Sequence, residues 1–265
     1  MFDYHIHSDF SADCKTPMER TIEEAIRKGL SEICFTEHID YDYPDASIVF
    51  EFDLKAYDGK VAEMQRKYRE QLTIKKGVEI GVQPHQLNMY NALLEKEHFD
   101  FVICSMHTTE KKDLHSGEFF EGKTQEEAYQ VYYEELLYCV KHFKGFQVLG
   151  HLDLVKRYKR QGSEKDFHDI IGEIFKEIIP AEKGIELNTS GKRYGLKNGM
   201  PSENILKLYK ELGGEIITLG SDSHVENTLA YEFKESLELL QSLEYNYVST
   251  FVDKKPVFHS ITSLL

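Results

Sequence analysis

The sequence has 265 residues, 41% of them hydrophobic and 29% charged, a balance typical of an ordinary protein that buries a sizeable core. Its formal net charge of −14 argues against a nucleic-acid partner, because proteins that bind the phosphate backbone usually carry a basic face. No apolar run is long enough to span a membrane, and no signal-peptide pattern opens the chain, which predicts a cytoplasmic protein without a membrane partner. The cysteines are scattered and lack CxxC spacing, which predicts that they form no disulfides.

In chain order, short apolar or β-branched runs alternate with longer amphipathic segments. The runs that predict strands are Phe2–Tyr4, Ile33–Phe35, Thr73–Ile80, Asp100–Cys104, Phe146–Leu149, Gly184–Leu187 and Glu215–Leu219, with a weaker eighth at Tyr245–Phe251. The first helix begins at Thr16-Pro17-Met18-Glu19, which predicts a capping box with Thr16 as N-cap, and it ends at Gly29. The other helix candidates are Asp53–Glu70, Thr124–Phe143, Asp166–Ile179, Ser202–Leu212 and Ala230–Leu243.

Seven or eight strand-then-helix units predict a single α/β domain over residues 1–265, built as a parallel barrel. A doubly wound open sheet is the alternative, but no glycine-rich phosphate turn follows the first strand. Asp40–Phe52 and Thr108–Glu121 look like long polar loops, and such loops often carry substrate contacts.

Histidine and acidic residues lie on or just after almost every predicted strand. His5 and His7 follow the first run, and residues two apart in an extended chain point to the same side. The corresponding residues of the later runs are His38, Glu79, His107, His151, Glu186, Asp222 and His224. In a parallel barrel these strand ends converge on one face, where active sites lie. We therefore expect them to form one pocket.

Imidazole and carboxylate groups together suit zinc, iron or manganese, and the lack of cysteine in the set argues against a structural thiolate site. Six or more ligands exceed what one ion needs, so we expect two or three divalent cations that share a bridging carboxylate. Each residue alone has an ordinary explanation, such as an N-cap at Asp222, and only their joint position favours metal. Surface or structural roles are expected for His85, His98, His115, His142, His168 and His259, although His85 and His115 could reach the pocket from loops.

The same residues carry the motifs of a known family. The segment His5-Ile6-His7-Ser8-Asp9-Phe10-Ser11-Ala12-Asp13 resembles the HxHSxxSxD motif that opens the PHP (polymerase and histidinol phosphatase) superfamily, and Thr36-Glu37-His38 resembles its second motif, usually TDH. The later motifs match in order at Gly77-Val78-Glu79, Ser105-Met106-His107, Gly150-His151-Leu152-Asp153, Ile185-Glu186-Leu187-Asn188 and Ser221-Asp222-Ser223-His224. The resemblance covers residues 5–224, and the chain length fits a stand-alone member. It implies a distorted (β/α)7 barrel with a trinuclear metal centre.

Carried over residue by residue, the resemblance implies three ion sites. The first is His5, His7, Glu79 and Asp222; the second is Asp13, His38 and His224; the third is His107 and His151, with Glu79 bridging to the first. Asp13 stands where some relatives have histidine, and Glu37 replaces the usual aspartate of the second motif. Glu186 is expected behind the ligands, where it would orient them.

The resemblance also implies hydrolysis of a small-molecule phosphate monoester, with L-histidinol phosphate as the favoured substrate. A metal-bound hydroxide would attack phosphorus in line, with Glu79, Asp222 and His224 as the candidate catalytic residues. Arginine matches phosphate oxygens, and the candidates are Arg160 and Arg193, with Arg157 and Lys192 as weaker ones. The carboxylates of Asp40, Asp42 and Asp45 are a hypothesis for holding the ammonium or imidazole group of the substrate.

Three other functions stay open at this point. The same metal centre could serve a phosphotyrosine-protein phosphatase or a nucleotide phosphoesterase. A C–N hydrolase of the amidohydrolase type normally uses a carboxylated lysine or an equivalent bridge on a barrel strand, and here Glu79 occupies that place. A non-catalytic module would use the metal ions only for stability or for docking a partner.

Overall fold

A computed structural model describes residues 1–158 and 165–265 of the chain. In chain order its strands are β1 Phe2–Ile6, β2 Glu32–Ile39, β3 Thr73–Gly81, β4 Phe101–Ser105, β5 Thr108–Thr109, β6 Lys112–Asp113, β7 Val148–Leu149, β8 Gly184–Asn188, β9 Ile217–Gly220, β10 Tyr247–Val252 and β11 Lys255–Ser260. Its helices are α1 Met18–Arg27, α2 Leu54–Tyr68, α3 Leu87–Lys96, α4 Gln125–His142, α5 His168–Ile178, α6 Ser190–Arg193, α7 Glu203–Glu211, α8 Phe233–Ser242 and α9 Ile261–Leu264. Short 3₁₀-helices lie at Glu118–Phe120, Leu154–Tyr158, Ile179–Ala181 and Glu226–Thr228.

Seven strands form one parallel sheet in the order β1-β2-β3-β4-β7-β8-β9. The sheet is nearly closed, because the segment after β9 returns to the end of β1. There the amide of His7 donates to the carbonyl of Ser223 at 2.9 Å, and the amide of Asp222 donates to the carbonyl of His5 at 2.8 Å. The predicted distorted (β/α)7 barrel is confirmed.

Burial patterns explain why these segments fold as a barrel. Every residue of β4 and β8 is buried, as expected for parallel strands covered on both faces. The helices between them are amphipathic, and α1 buries Met18, Ile22 and Ala25 along one face. In the described ranges, no helix combines the length and apolar character that crossing a membrane requires.

The weak eighth run is not a barrel strand. It forms β10, which pairs antiparallel with β11. The ring of Phe251 packs 5.0 Å from that of Phe101, and its amide donates to the hydroxyl of Tyr4 at 3.0 Å. Phe2, the first residue of β1, also lies with its ring 4.2 Å from that of His259 in β11. Because Phe2 and Phe101 each begin a strand, this hairpin covers the amino-terminal end of the barrel.

The predicted capping box at α1 is wrong. The N-cap position belongs to Pro17, and no side chain caps it. The hydroxyl of Thr16 instead donates to the carbonyl of His224 at 3.0 Å, while the amide of Met18 donates to Asp9 at 3.3 Å. A long-range contact has therefore replaced the local one, and it ties the start of α1 to the loop after β9.

Candidate metal centre

The carboxyl ends of the barrel strands carry a compact cluster of imidazoles and carboxylates. Four overlapping triads each bring their ligand atoms within 4.8 Å of one another: His7, His38 and His224; His5, His7 and Asp222; His5, Glu79 and His151; His38, Glu79 and His107. Asp13 joins through His224, whose Nε2 lies 3.1 Å from Asp13 Oδ2. The structure thus brings together every metal-ligand candidate that the sequence supplied.

Glu79 lies at the centre of the cluster and is fully buried. Its Oε2 is 3.0 Å from Nε2 of His5 and 3.2 Å from Nδ1 of His38. Its Oε1 is 2.9 Å from Nε2 of His151 and 3.3 Å from Nε2 of His107. One carboxylate therefore faces two groups of histidines through different oxygens, which is the arrangement that a bridging ligand needs.

Glu186 orients two of the cluster residues from behind. Its Oε1 lies 2.6 Å from Nδ1 of His5, and its Oε2 accepts the amide of His151 at 2.9 Å. The side-chain amide of Asn188 also donates a hydrogen bond to Oε2, at 3.1 Å. A Cβ at Gly220 would lie 1.9 Å from this carboxylate, so only glycine leaves room for it. Because Glu186 binds Nδ1 of His5, the opposite nitrogen faces the cluster.

Glu37, which replaces the usual aspartate, is buried beneath the loop after β1. It accepts hydrogen bonds from the amide of Ser8 at 3.0 Å and from the hydroxyl of Ser11 at 2.6 Å. Ser11 in turn lies 3.2 Å from Nδ1 of His7. The carboxylate thus fixes the segment between His7 and Asp13, a role that the sequence motif did not reveal.

The charges of the cluster favour ionised carboxylates. Burial raises the pKa of Glu79, but His5, His38 and His107 outweigh it and hold that pKa well below its usual value. Burial lowers the pKa of His7, and the neighbouring His224 and His38 lower it further. His7 is therefore a neutral imidazole with a lone pair available to a metal ion.

Unpaired nitrogen atoms in the cluster fit a metal-binding role. Nε2 of His7 and Nδ1 of His38 are among the buried side-chain atoms of the described residues that have no hydrogen-bond partner. Both face carboxylate oxygens of the cluster, and Nε2 of His7 lies 3.6 Å from Glu79 and from Asp222. Buried polar atoms are rarely left unpaired without a reason. Imidazole and carboxylate donors at these positions fit zinc, iron or manganese.

A cavity of about 410 Å³ opens onto the cluster. Its outer wall is largely aromatic, with Tyr43 and Phe50 from the loop after β2 and Tyr158 from the loop after β7. Asp113 and His115 line it from the segment after β4, which contains the short strands β5 and β6, so residues of both segments predicted as long polar loops line the pocket. A cavity of this volume suits a small-molecule ligand.

The acidic residues expected to hold the substrate have other partners. The Oδ2 atom of Asp40 lies 2.6 Å from Nδ1 of His107. Asp42 pairs with His85 at 2.7 Å, and Asp45 accepts the amide of Ser47 at 2.9 Å. Neither Asp42 nor Asp45 lines the cavity. Asp113, which no sequence motif marked, also lines the cavity, and its carboxylate accepts the amides of His115 at 2.9 Å and Ser116 at 2.6 Å.

The arginine candidates occupy different positions. Arg157 lines the cavity, and its guanidinium stacks on the ring of Tyr194. Arg193 lies outside the lining, and its guanidinium donates to the carbonyls of Ser221 and Asp222. Arg160 falls outside the described residues, so its part in phosphate binding stays a prediction.

Known proteins resemble this chain over nearly its whole length. A family model described as the PHP domain matches residues 3–190. A histidinol-phosphatase of Lactococcus lactis is 32% identical over 262 residues, covering 96% of this chain and 95% of the relative. A probable histidinol-phosphatase of Clostridium acetobutylicum is 31% identical, covering 96% and 98%. The crystal structure of histidinol phosphate phosphatase from Lactococcus lactis, complexed with zinc, L-histidinol and phosphate, matches at TM-score 0.85 and 31% identity, over 97% of this chain and 98% of that one.

Proposed function

The chain belongs to the PHP domain family, and from this membership and its metal centre we propose that it hydrolyses L-histidinol phosphate to L-histidinol and phosphate. The observation that carries the proposal is the likeness, over 97% of the chain, to an enzyme structure that holds zinc, L-histidinol and phosphate. The activity is that of a histidinol-phosphatase, a metal-dependent phosphoric monoester hydrolase of histidine biosynthesis. The four free cysteines are all buried, which supports a location in the reducing cytoplasm.

We assign the ligands to three divalent cations. The first takes His5, His7, Glu79 and Asp222; the second takes Asp13, His38 and His224; the third takes His107 and His151, with Glu79 shared between the first and third. The opposite orientations of the two Glu79 oxygens support this sharing. When bound, such cations activate water as a nucleophile and neutralise the non-bridging oxygens of a phosphate ester.

The residues around the cavity supply the metal ligands and the substrate contacts. Asp222 and His224 line the cavity as part of the ligand cluster, and with Glu79 we assign them a catalytic role through the metal ions that they hold. Arg157 places a guanidinium on the same wall, where it can pair with phosphate oxygens. The aromatic wall and Asp113 face the remainder of the substrate, whose imidazole and ammonium groups suit stacking and ion pairing.

A substrate panel tests the proposed function. The zinc-loaded protein is assayed for phosphate release from L-histidinol phosphate, a phosphotyrosyl peptide and nucleoside monophosphates at equal concentrations. We expect kcat/KM to be highest for L-histidinol phosphate. A higher kcat/KM for the peptide or for the nucleotides would show that one of these, and not L-histidinol phosphate, is the substrate of the same metal centre. No phosphate release from any substrate at full zinc occupancy would favour the non-catalytic module.

A further inference from the structure

Arg193, at the end of α6, donates hydrogen bonds to the backbone of the loop after β9. Its Nη1 donates to the carbonyl of Ser221 and its Nη2 to the carbonyl of Asp222, each at 2.8 Å. The guanidinium carbon also lies 5.6 Å from the ring centre of Tyr231. The planar fork of an arginine is thus engaged on two consecutive carbonyls, and it is directed at the protein rather than at the cavity.

The backbone that Arg193 binds has an unusual conformation at Asp222. Asp222 has a φ of 51°, in the left-handed region that side-chain-bearing residues seldom adopt. Such a residue persists at a functional site only when its surroundings hold it there. The two carbonyls bound by Arg193 lie on either side of this residue, and the amide of Asp222 donates to the carbonyl of His5 at 2.8 Å.

A second residue of α6 contacts the carboxylate of Asp222. The hydroxyl of Ser190, which is fully buried, donates to Oδ2 of Asp222 at 3.1 Å. The other oxygen, Oδ1, faces the ligand cluster, 3.6 Å from Nε2 of His7 and 3.8 Å from Nε2 of His5. The contacts from α6 therefore fix both the backbone of Asp222 and the choice of the oxygen that faces the histidines.

We propose that Arg193 is a positioning residue for Asp222, assisted by Ser190, and that it sets the affinity of the first metal site rather than binding phosphate. This inference rests on the metal centre of the proposed function. It predicts a graded effect, because Arg193 and Ser190 contact a ligand of the first ion directly. They reach the second ion only through the carbonyl of Asp222, which also lies 3.2 Å from Nδ1 of His224. Among the described residues, the hydrogen bonds of His107 and His151, the ligands of the third ion, are made with residues outside α6.

A zinc titration of the metal-free protein tests the proposal. The variants are Arg193→Met and, as a matched control on the same helix, Lys192→Met, whose cation pairs with Glu232. We expect Arg193→Met to bind one ion about tenfold or more weakly, within the range found for residues that orient metal ligands, and to bind at least one other ion as the wild type does. Lys192→Met should match the wild type throughout, and Ser190→Ala should weaken the same ion as Arg193→Met.

The inhibition constant of inorganic phosphate, measured at saturating zinc, separates the two possible roles. We expect it to stay within about twofold of wild type in Arg193→Met, against the tenfold or larger loss that removing a charge-assisted contact would give. Wild-type zinc affinity in Arg193→Met, or equal weakening of all ions, overturns the proposal. If Arg193→Met does not fold, zinc binding by Ser190→Ala decides in the same way. A wild-type protein that binds no zinc would instead contradict the proposed function.

Discussion

The carboxylate of Asp40 lies 2.6 Å from Nδ1 of His107 and so directs Nε2 of that imidazole towards Glu79. Asp40 is buried, and a Cβ on Gly81 of the neighbouring strand would lie 2.1 Å from its carboxyl group. The space for this carboxylate therefore exists only because residue 81 is glycine. A buried carboxylate behind a histidine fixes both the tautomer and the ring orientation of a metal ligand.

Replacing Asp40 should weaken the ion held by His107. The Asp40→Ala variant loses the hydrogen bond to Nδ1, and we expect zinc affinity at that ion to fall roughly 10- to 100-fold. The matched control is Asp42→Ala, which removes a nearby carboxylate whose partner is the peripheral His85. Zinc titration of the two metal-free variants checks the prediction, and equal affinities would contradict it.

Replacing Asp13 should remove one ion without unfolding the protein. The Asp13 side chain is 39% exposed, and it contacts Nε2 of His224 at 3.1 Å and Nε2 of His38 at 3.7 Å. Asp13→Ala should therefore bind one fewer zinc ion per chain, while the melting temperature of the metal-free protein stays close to that of the wild type. Metal analysis after gel filtration gives the count. An unchanged count would show that Asp13 is not a ligand.

Zinc binding should release protons at neutral pH. Burial lowers the pKa of His224, but the hydrogen bond to Asp13 and the charge of Asp222 outweigh it and raise the pKa to about 9. Below that pH the metal-free imidazole is protonated, whereas a metal ligand must be neutral, so zinc affinity should rise as the pH increases from 7 towards about 9. Calorimetry in buffers of different ionisation enthalpy measures the protons released. Zinc affinity independent of pH over this range would contradict the prediction.

The sequence predicted the ligand cluster because strand order and residue chemistry suffice for that step. A run such as Asp100–Cys104 reveals a buried parallel strand, and His107 just after it must then lie on the carboxyl-terminal face. The same logic places His5, His38 and Glu79 together without any knowledge of their distances. Hydrophobic periodicity and strand order are therefore enough to predict the barrel and the cluster.

The residues behind the ligands could not be predicted in this way. The partner of Asp40 is set by the register of strands and by the space at Gly81, which local pattern does not encode. Thr16 carried a strong capping signal, yet its hydroxyl binds the distant carbonyl of His224. Arg193 was a reasonable phosphate candidate from its position after a strand, and only its contacts show that it faces the backbone at Asp222.

The most direct test of the account is metal content together with phosphate release from L-histidinol phosphate in the Glu79→Ala variant. Glu32→Ala is the control, because Glu32 is a partly buried carboxylate at the opposite end of the barrel. There it accepts a hydrogen bond from the hydroxyl of Tyr4. Glu79→Ala should lose bound metal, and its phosphate release should fall by more than the roughly 100-fold typical of residues that only orient ligands. Glu32→Ala should keep both. Wild-type metal content and phosphate release in Glu79→Ala would contradict the metal centre described above.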